Sequence, residues 1–374
     1  MKAHWRDILA ASRCYMKRGV SMKRKYWGSV LFLIVLIAAT TFVLLKSNDM
    51  RAVLAAIAAV KLTWLAPGIL AALLFVAGEG MIIWYLLRAL NIPVHPPQCI
   101  RWSFVGFFFS AITPSATGGQ PAQIYYMKRE GVRIADSTPV LMVVAVLYKF
   151  VLVVLGLALI AAAGNILRGA FGGLLWLYYL GLGLNILLVG FLVFVMVSPG
   201  CSRRIVSGLE HLLEKLHLLK PSPARHEKLM GTVAEYQNVV RYFRGHPGCI
   251  LTAVGMTFLQ RGTLFILTWF IYCGLGLRGS DLLTVLVLQA SVYIAVDMLP
   301  LPGSVGANEL VYSTVFAAVF PGQYLAASLC INRGVSFYLV LLVSAVALGI
   351  SQLMLRRAAP LAAKLSEKKH QKHA

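Results

Sequence analysis

Six uninterrupted apolar runs fix what this chain can become: Trp27–Leu45, Trp64–Leu87, Val140–Ala163, Leu174–Val197, Ile250–Cys273 and Leu325–Leu355. A helix needs about 20 apolar residues to cross the hydrocarbon of a bilayer. Only a segment that satisfies its own backbone can do so, which restricts spanning structure to helices and closed barrels. Of the 374 residues, 59% are hydrophobic and 13% charged; the charged share is about half that of a soluble domain. The reading is an all-α integral membrane protein, with the long last run tilting or extending beyond the hydrocarbon.

Two further apolar runs, Cys99–Met127 and Leu282–Phe320, are broken near their middles by proline and glycine. The fold expected is therefore six full spans plus two interrupted re-entrant hairpins. Along the chain this gives a basic segment at residues 1–26 and a first membrane half at 27–197 with its hairpin at 99–127. A connector follows at 198–248, then a second half at 249–355 with its hairpin at 282–320, and a basic tail at 356–374. Met22 opens a stretch, MKRKYWGS, that reads as a second possible start. The connector holds two amphipathic helices. Ile205, Leu209, Leu212, Leu216 and Leu219 share one face, and Leu229, Val233, Tyr236, Val240 and Phe243 share another. They are expected to lie on the membrane surface or against the spans.

The net charge of +22 is not spread evenly. With the amino terminus inside and each hairpin returning to its own side, 27 of the 35 lysines and arginines fall in inside segments and 5 in outside ones. That bias orients the chain with both termini cytoplasmic in a bacterial plasma membrane. It accounts for the positive charge without nucleic acid as a partner. In this topology the first hairpin enters from the cytoplasm and the second from outside. Broken segments at corresponding positions of two halves point to an inverted repeat with its site at the breaks.

The first break reads Thr113-Pro114-Ser115-Ala116-Thr117-Gly118-Gly119-Gln120-Pro121-Ala122-Gln123. The second reads Pro300-Leu301-Pro302-Gly303-Ser304-Val305-Gly306-Ala307-Asn308-Glu309. Proline stops a helix and glycine permits the reversal that follows. New helix starts near Gln120 and Asn308 would aim free N–H groups into a shared cavity, where they favour an anion such as lipid phosphate. The alternative is that both breaks are ordinary surface turns. Lys149, Arg261 and Arg333 are the three basic residues left inside apolar runs, accompanied by Glu79, Asp297 and Glu309. Ionisable groups there are costly and mark function, structural pairing or snorkelling to an interface. The basic three are candidates to grip phosphate, and Glu309 to act as counter-ion or proton carrier. Trp84, Tyr85, Trp102, Tyr125, Tyr126, Trp176, Tyr178 and Tyr179 read as interfacial belts.

Other chemistry finds no footing. The six cysteines are scattered without a C-x-x-C pair, the histidines lie in connectors and tails without metal-ligand spacing, and no phosphate-binding G-x-x-x-x-G-K-[ST] loop occurs. No cofactor is expected.

The segments Pro114–Tyr126 and Pro300–Glu309, with Asn332-Arg333, resemble the lysylphosphatidylglycerol synthase transmembrane, flippase-like family, the membrane half of the bacterial multiple peptide resistance factor. The resemblance runs from about Trp27 to Leu355. It departs at Gln120 and Gln123, where the family pattern carries Glu and Arg. It implies movement of a phospholipid, such as aminoacylated phosphatidylglycerol, between leaflets. In full-length relatives a soluble aminoacyl-transferase domain follows; here only a basic tail follows Leu355, so a membrane unit without that domain is expected. Gly118, Gly119, Gln120, Gln123, Gly303, Gly306, Asn308, Glu309, Arg333, Arg261, Lys149 and Glu79 are the candidate headgroup contacts. Two other readings stay open: a phosphatidylglycerol lysyltransferase, and a non-catalytic partner of a separate lipid-modifying enzyme.

Overall fold

The computed structural model describes residues 50–113, 117–215, 223–299, 304 and 306–371. The first span, Trp27–Leu45, and the basic segment before it lie outside the described residues. Within them the protein is helical, with no strand. A short helix, α1 (Met50–Ala58), precedes α2 (Leu62–Ala89). The first broken hairpin follows as α3 (Pro96–Ile112) and α4 (Gly119–Arg129), then α5 (Ile134–Phe171) and α6 (Leu175–Val197). The connector forms α7 (Pro199–Lys215) and α8 (Pro223–Gly245). After α9 (Pro247–Gly274) comes the second broken hairpin, α10 (Leu282–Val296) and α11 (Ala307–Val315). The chain closes with α12 (Gln323–Arg333), a π-helical turn at Gly334–Leu339, and α13 (Val340–Gln371).

Four stretches are long and apolar enough to cross a membrane: Leu62–Ala89, Ile134–Val197, Pro247–Gly274 and Gln323–Leu355. The second is 64 residues long and contains both α5 and α6. Five of the six expected spans therefore coincide with helices. Leu187, Leu251, Leu259 and Leu283 are 68–74% exposed. So much bare leucine suits a surface facing acyl chains, and soluble monomers rarely present large apolar patches.

Helices α2 and α9 form the central pair, and they run antiparallel. The Lys61 N–H donates to the Gly274 carbonyl at 3.1 Å, Gly68 lies against Leu267, and Gln260 Nε2 donates to the Phe75 carbonyl at 2.8 Å. Each step along one helix is matched by an equal step back along the other. Hairpin α3–α4 follows the end of α2, and hairpin α10–α11 follows the end of α9. The two hairpins consequently open toward opposite ends of the bundle, as their place in the sequence implied.

Each hairpin is held at its open end. Arg101 and Gln98 of α3 reach the Glu130 carboxylate beyond α4 at 2.5 and 2.9 Å. Tyr272 at the end of α9 packs edge-on against Phe320 beyond α11. Two separate apolar clusters match these ends. One gathers Ile83, Trp102, Met127 and Phe243, and the other Phe171, Tyr178, Tyr312 and Phe316. The expected interfacial belt is only partly realised. Trp176 and Tyr179 are exposed, but Trp102 and Tyr178 are fully buried, the latter donating to the Gly156 carbonyl at 2.8 Å. A ring at the end of an apolar run faces lipid or core according to helix rotation, which hydropathy does not report.

Helix α3 crosses α2 at very short range. A Cβ on Gly80 would stand 2.5 Å from the Ile100 Cα and 2.7 Å from its nitrogen. Gly80→Ala must push the two backbones apart, and overpacking of this kind costs about 1–3 kcal/mol. Thermal unfolding in detergent is expected to show that loss.

The connector helices form as their amphipathic faces predict. Val233, Tyr236, Val240 and Phe243 of α8 are buried. Leu216 and Leu219 lie outside the described residues. A polar latch joins α7 to α8: Glu210 meets His226 Nδ1 at 2.7 Å and Arg225 Nε at 3.0 Å, and Arg225 also binds Glu214. The hydrogen bond to His226, with Arg225 beside it, holds the Glu210 carboxyl below the usual carboxylate range. Because the folded value is the lower one, the latch contributes stability above the ordinary glutamate pKa of about 4.3. That contribution is lost as pH falls through the folded value. Hydrogen-exchange protection at the start of α8 is expected to hold at pH 6, to decline below pH ~4, and to lose this acid dependence in Glu210→Gln.

Candidate functional site

The two breaks are built differently. In the first, Thr113 Oγ1 turns back to the Phe109 carbonyl at 2.6 Å and accepts the Gly118 N–H at 2.9 Å. Helix α4 then starts so close to α3 that a Cβ on Gly119 would lie 2.1 Å from Ser110 Oγ and 2.8 Å from the Gly106 carbonyl oxygen. In the second, Gly306 sits at φ +89°, a left-handed conformation that favours glycine. Gly303 and its neighbours Pro300–Pro302 lie outside the described residues.

At the second break the new helix carries a carboxylate within its own first turn. The Glu309 carboxylate turns back to accept the Gly306 N–H at 2.5 Å, as the third residue of a helix does in a capping box. Its other oxygen accepts from Arg333 Nε at 2.6 Å. Glu309 is therefore a cap and a counter-ion at once, and Arg333 belongs to an ion pair. Asn308 is 8% exposed beside it. The chain following Arg333 is π-helical, a local distortion that often accompanies functional sites.

At the first break Gln120 is exposed and donates to the Leu141 carbonyl of α5 at 3.3 Å. Gln123 is 3% exposed and donates to Glu79 Oε1 at 2.7 Å. These contacts tie the hairpin to α5 and α2. Next to Glu79, Gly78 packs on the Gln260 side chain, which brings Arg261 of α9 beside α2. Arg261 is 5% exposed. Its guanidinium lies 3.4 Å from the Tyr148 ring centroid and 4.7 Å from that of Phe75. Tyr148 and Lys149 in turn both donate to the Asp297 carboxylate, just past α10. A polar seam thus crosses the protein from the first hairpin to the second: Gln123, Glu79, Arg261, Tyr148, Lys149 and Asp297. Glu309 and Arg333 extend the same interior, since Arg261, Asp297 and Arg333 all act electrostatically on Tyr293.

Sequence reading picked out the charged members and Gln123, and missed the other neutral ones. Tyr148, Tyr293 and Phe75 carry no signal inside an apolar run. Thr268 and Gln289 were missed as well; with Asn332 they form a buried chain, in which Thr268 donates to Gln289 Oε1 at 2.7 Å and accepts from Asn332 Nδ2 at 2.8 Å. Polar residues recurring inside otherwise apolar helices were the available sign.

The charges are unevenly satisfied. Lys149 and Arg333 are each closed by a carboxylate with side chains 10–14% exposed. Among the described residues Arg261 has no carboxylate oxygen within 4.0 Å, and its buried Nε has no hydrogen-bond partner. A desolvated cation–π contact contributes about 2 kcal/mol, whereas leaving a buried charge uncompensated costs about 3–5 kcal/mol. The two rings therefore hold the guanidinium in place without offering its Nε an acceptor. Among the described residues no group of three or more His, Cys, Asp or Glu side chains could hold a metal. The cysteines Cys99, Cys201, Cys249, Cys273 and Cys330 are free thiols.

Hydrophobic spans around two oppositely opening broken hairpins, with a charged seam between them, define an all-α, multi-pass membrane protein. The chain belongs to the family described as the lysylphosphatidylglycerol synthase TM region, whose profile matches residues 27–344. That match contains every residue of the seam. The chain is also similar to a UPF0104 membrane protein of Pyrococcus horikoshii, with 25% identity over 275 residues, covering 68% of this chain and 76% of that protein.

Proposed function

We propose that the protein moves a phosphate-bearing lipid between the leaflets of a bacterial cytoplasmic membrane, with both of its own termini on the cytoplasmic side. The observation that carries this reading is the polar seam linking two hairpins that open to opposite ends. A lipid headgroup cannot cross hydrocarbon unaided, because each uncompensated charge must leave water. The seam offers it paired and hydrogen-bonded partners at intermediate depth, while the acyl chains remain in the surrounding lipid. Opposed halves allow the site to be exposed alternately by rocking of one hairpin against the other. The family name supports a phospholipid as cargo, aminoacylated phosphatidylglycerol among the options.

The test is reconstitution into liposomes with a headgroup-labelled phospholipid and a membrane-impermeant quencher. Protein-containing vesicles are expected to expose inner-leaflet label several times faster than protein-free ones. Rates no faster than in protein-free vesicles, for anionic and zwitterionic phospholipids and polyprenyl-phosphate lipids alike, would overturn the reading. The family name also admits lysyl transfer to phosphatidylglycerol. New lysylphosphatidylglycerol in a host that lacks it and expresses this chain alone would favour that alternative.

A further inference from the structure

Resting on the lipid-translocation reading, we infer that the seam is selective for a zwitterionic headgroup, with its anionic phosphate oxygens on Arg261 and its ammonium group on Glu79. The inference starts from which charges are already closed. Lys149 is held by Asp297 and Arg333 by Glu309. Glu79 and Arg261 remain as an acid and a base without direct contact. No nitrogen of Arg261 comes within 4.0 Å of a Glu79 oxygen, although the two are in electrostatic reach of each other. Glu79 takes one amide donor, Gln123 Nε2, on Oε1.

Their placement is fixed on both sides. Phe75 and Glu79 stand one helical turn apart on the same face of α2, and Arg261 stacks over Phe75. Tyr148 lies closer still to the guanidinium, and its hydroxyl is anchored on Asp297. A planar guanidinium presents several N–H donors in a rigid fork suited to phosphate oxygens. The two rings lie against the guanidinium carbon, and its buried Nε has no hydrogen-bond partner among the described residues.

Charge balance then selects among phosphate-bearing headgroups. The six membrane charges, Glu79, Asp297, Glu309, Lys149, Arg261 and Arg333, sum to zero. A purely anionic headgroup would bring one uncompensated negative charge into a poorly solvated interior, which is costly. A headgroup with one phosphate and one amine adds no net charge. It also supplies the counter-ion that Arg261 and Glu79 each lack among the described residues.

The experiment exposes the purified full chain in detergent to equimolar phosphatidylethanolamine and phosphatidylglycerol and counts retained lipids by native mass spectrometry. The wild-type protein is expected to hold phosphatidylethanolamine about tenfold over phosphatidylglycerol. Glu79→Gln makes the interior net positive and is expected to reverse that order. Arg261→Gln is expected to lower retention of both lipids about tenfold. Arg261→Lys, which keeps the charge and loses the fork, should fall between. Equal wild-type retention of the two lipids would overturn the inference, as would a Glu79→Gln protein with the wild-type ratio. The wild-type ratio needs no variant to fold. Retention in the expected order without lipid movement in vesicles would instead overturn the translocation reading and leave the charge assignment standing. Lipid movement indifferent to headgroup and to Arg261 would do the reverse.

Discussion

Asp297→Asn is expected to destabilise the protein by about 3–5 kcal/mol, because it leaves Lys149 buried without its counter-ion. Lys149 and Asp297 come from α5 and the end of α10, so their contact also joins the two membrane halves. Lys149→Met should cost a similar amount for the converse reason. The combined Lys149→Met, Asp297→Leu protein removes both charges and is expected to recover most of the loss. It will not recover all of it, since the Tyr148 hydroxyl loses its acceptor, and an orphaned buried donor costs about 1–3 kcal/mol. Adding Tyr148→Phe should return that remainder while keeping the ring under Arg261. A double-mutant cycle on thermal or denaturant unfolding in mixed micelles measures the coupling. Additive single and double values would show that the pair makes no such contact.

Glu309→Ala is expected to be worse than Glu309→Gln, and the difference separates the two tasks of this side chain. Either substitution strips Arg333 of its carboxylate, at a cost of about 3–5 kcal/mol. The glutamine amide oxygen can still accept the Gly306 N–H, whereas alanine cannot, and a lost helix cap adds about 1 kcal/mol. The two variants should therefore both unfold at lower temperature, in that order. Arg333→Gln combined with Glu309→Gln should restore much of the stability. Equal unfolding of Glu309→Ala and Glu309→Gln would mean that the cap contributes nothing to the second hairpin.

The sequence displayed the spans because length of apolar run is itself the physical requirement for crossing a bilayer. It displayed the breaks because proline and glycine act locally, at the residue that carries them. Pairing is a different matter. Nothing in the spacing of Lys149 and Asp297, 148 residues apart, says that they meet. The same holds for Gln123 and Glu79, and for Arg261 between Phe75 and Tyr148. Those contacts follow from the antiparallel docking of α2 on α9 and from the rotation of each helix, which only tertiary packing sets. Glu309 is instructive in the other direction. Its position three residues after Gly306 is the spacing of a capping box, so its turn back to the backbone was readable. The reading of Glu309 as a counter-ion or proton carrier agrees with its pairing to Arg333 but did not include that local rule. Helix α1, only nine residues long, was passed over because a short helix between two hydrophobic spans leaves little periodicity to detect.

If the breaks of the two hairpins reach into the membrane from opposite faces, cysteines placed at them must be labelled from opposite faces. Thr117→Cys and Ala307→Cys, each in a background with the native cysteines replaced, place one thiol at each break. A membrane-impermeant maleimide applied to sealed vesicles of known orientation should reach Thr117→Cys from the side where α3 and α4 open, and Ala307→Cys only from the other. Free labelling of both positions from one and the same face would contradict the opposed hairpins, and with them the route proposed for the lipid.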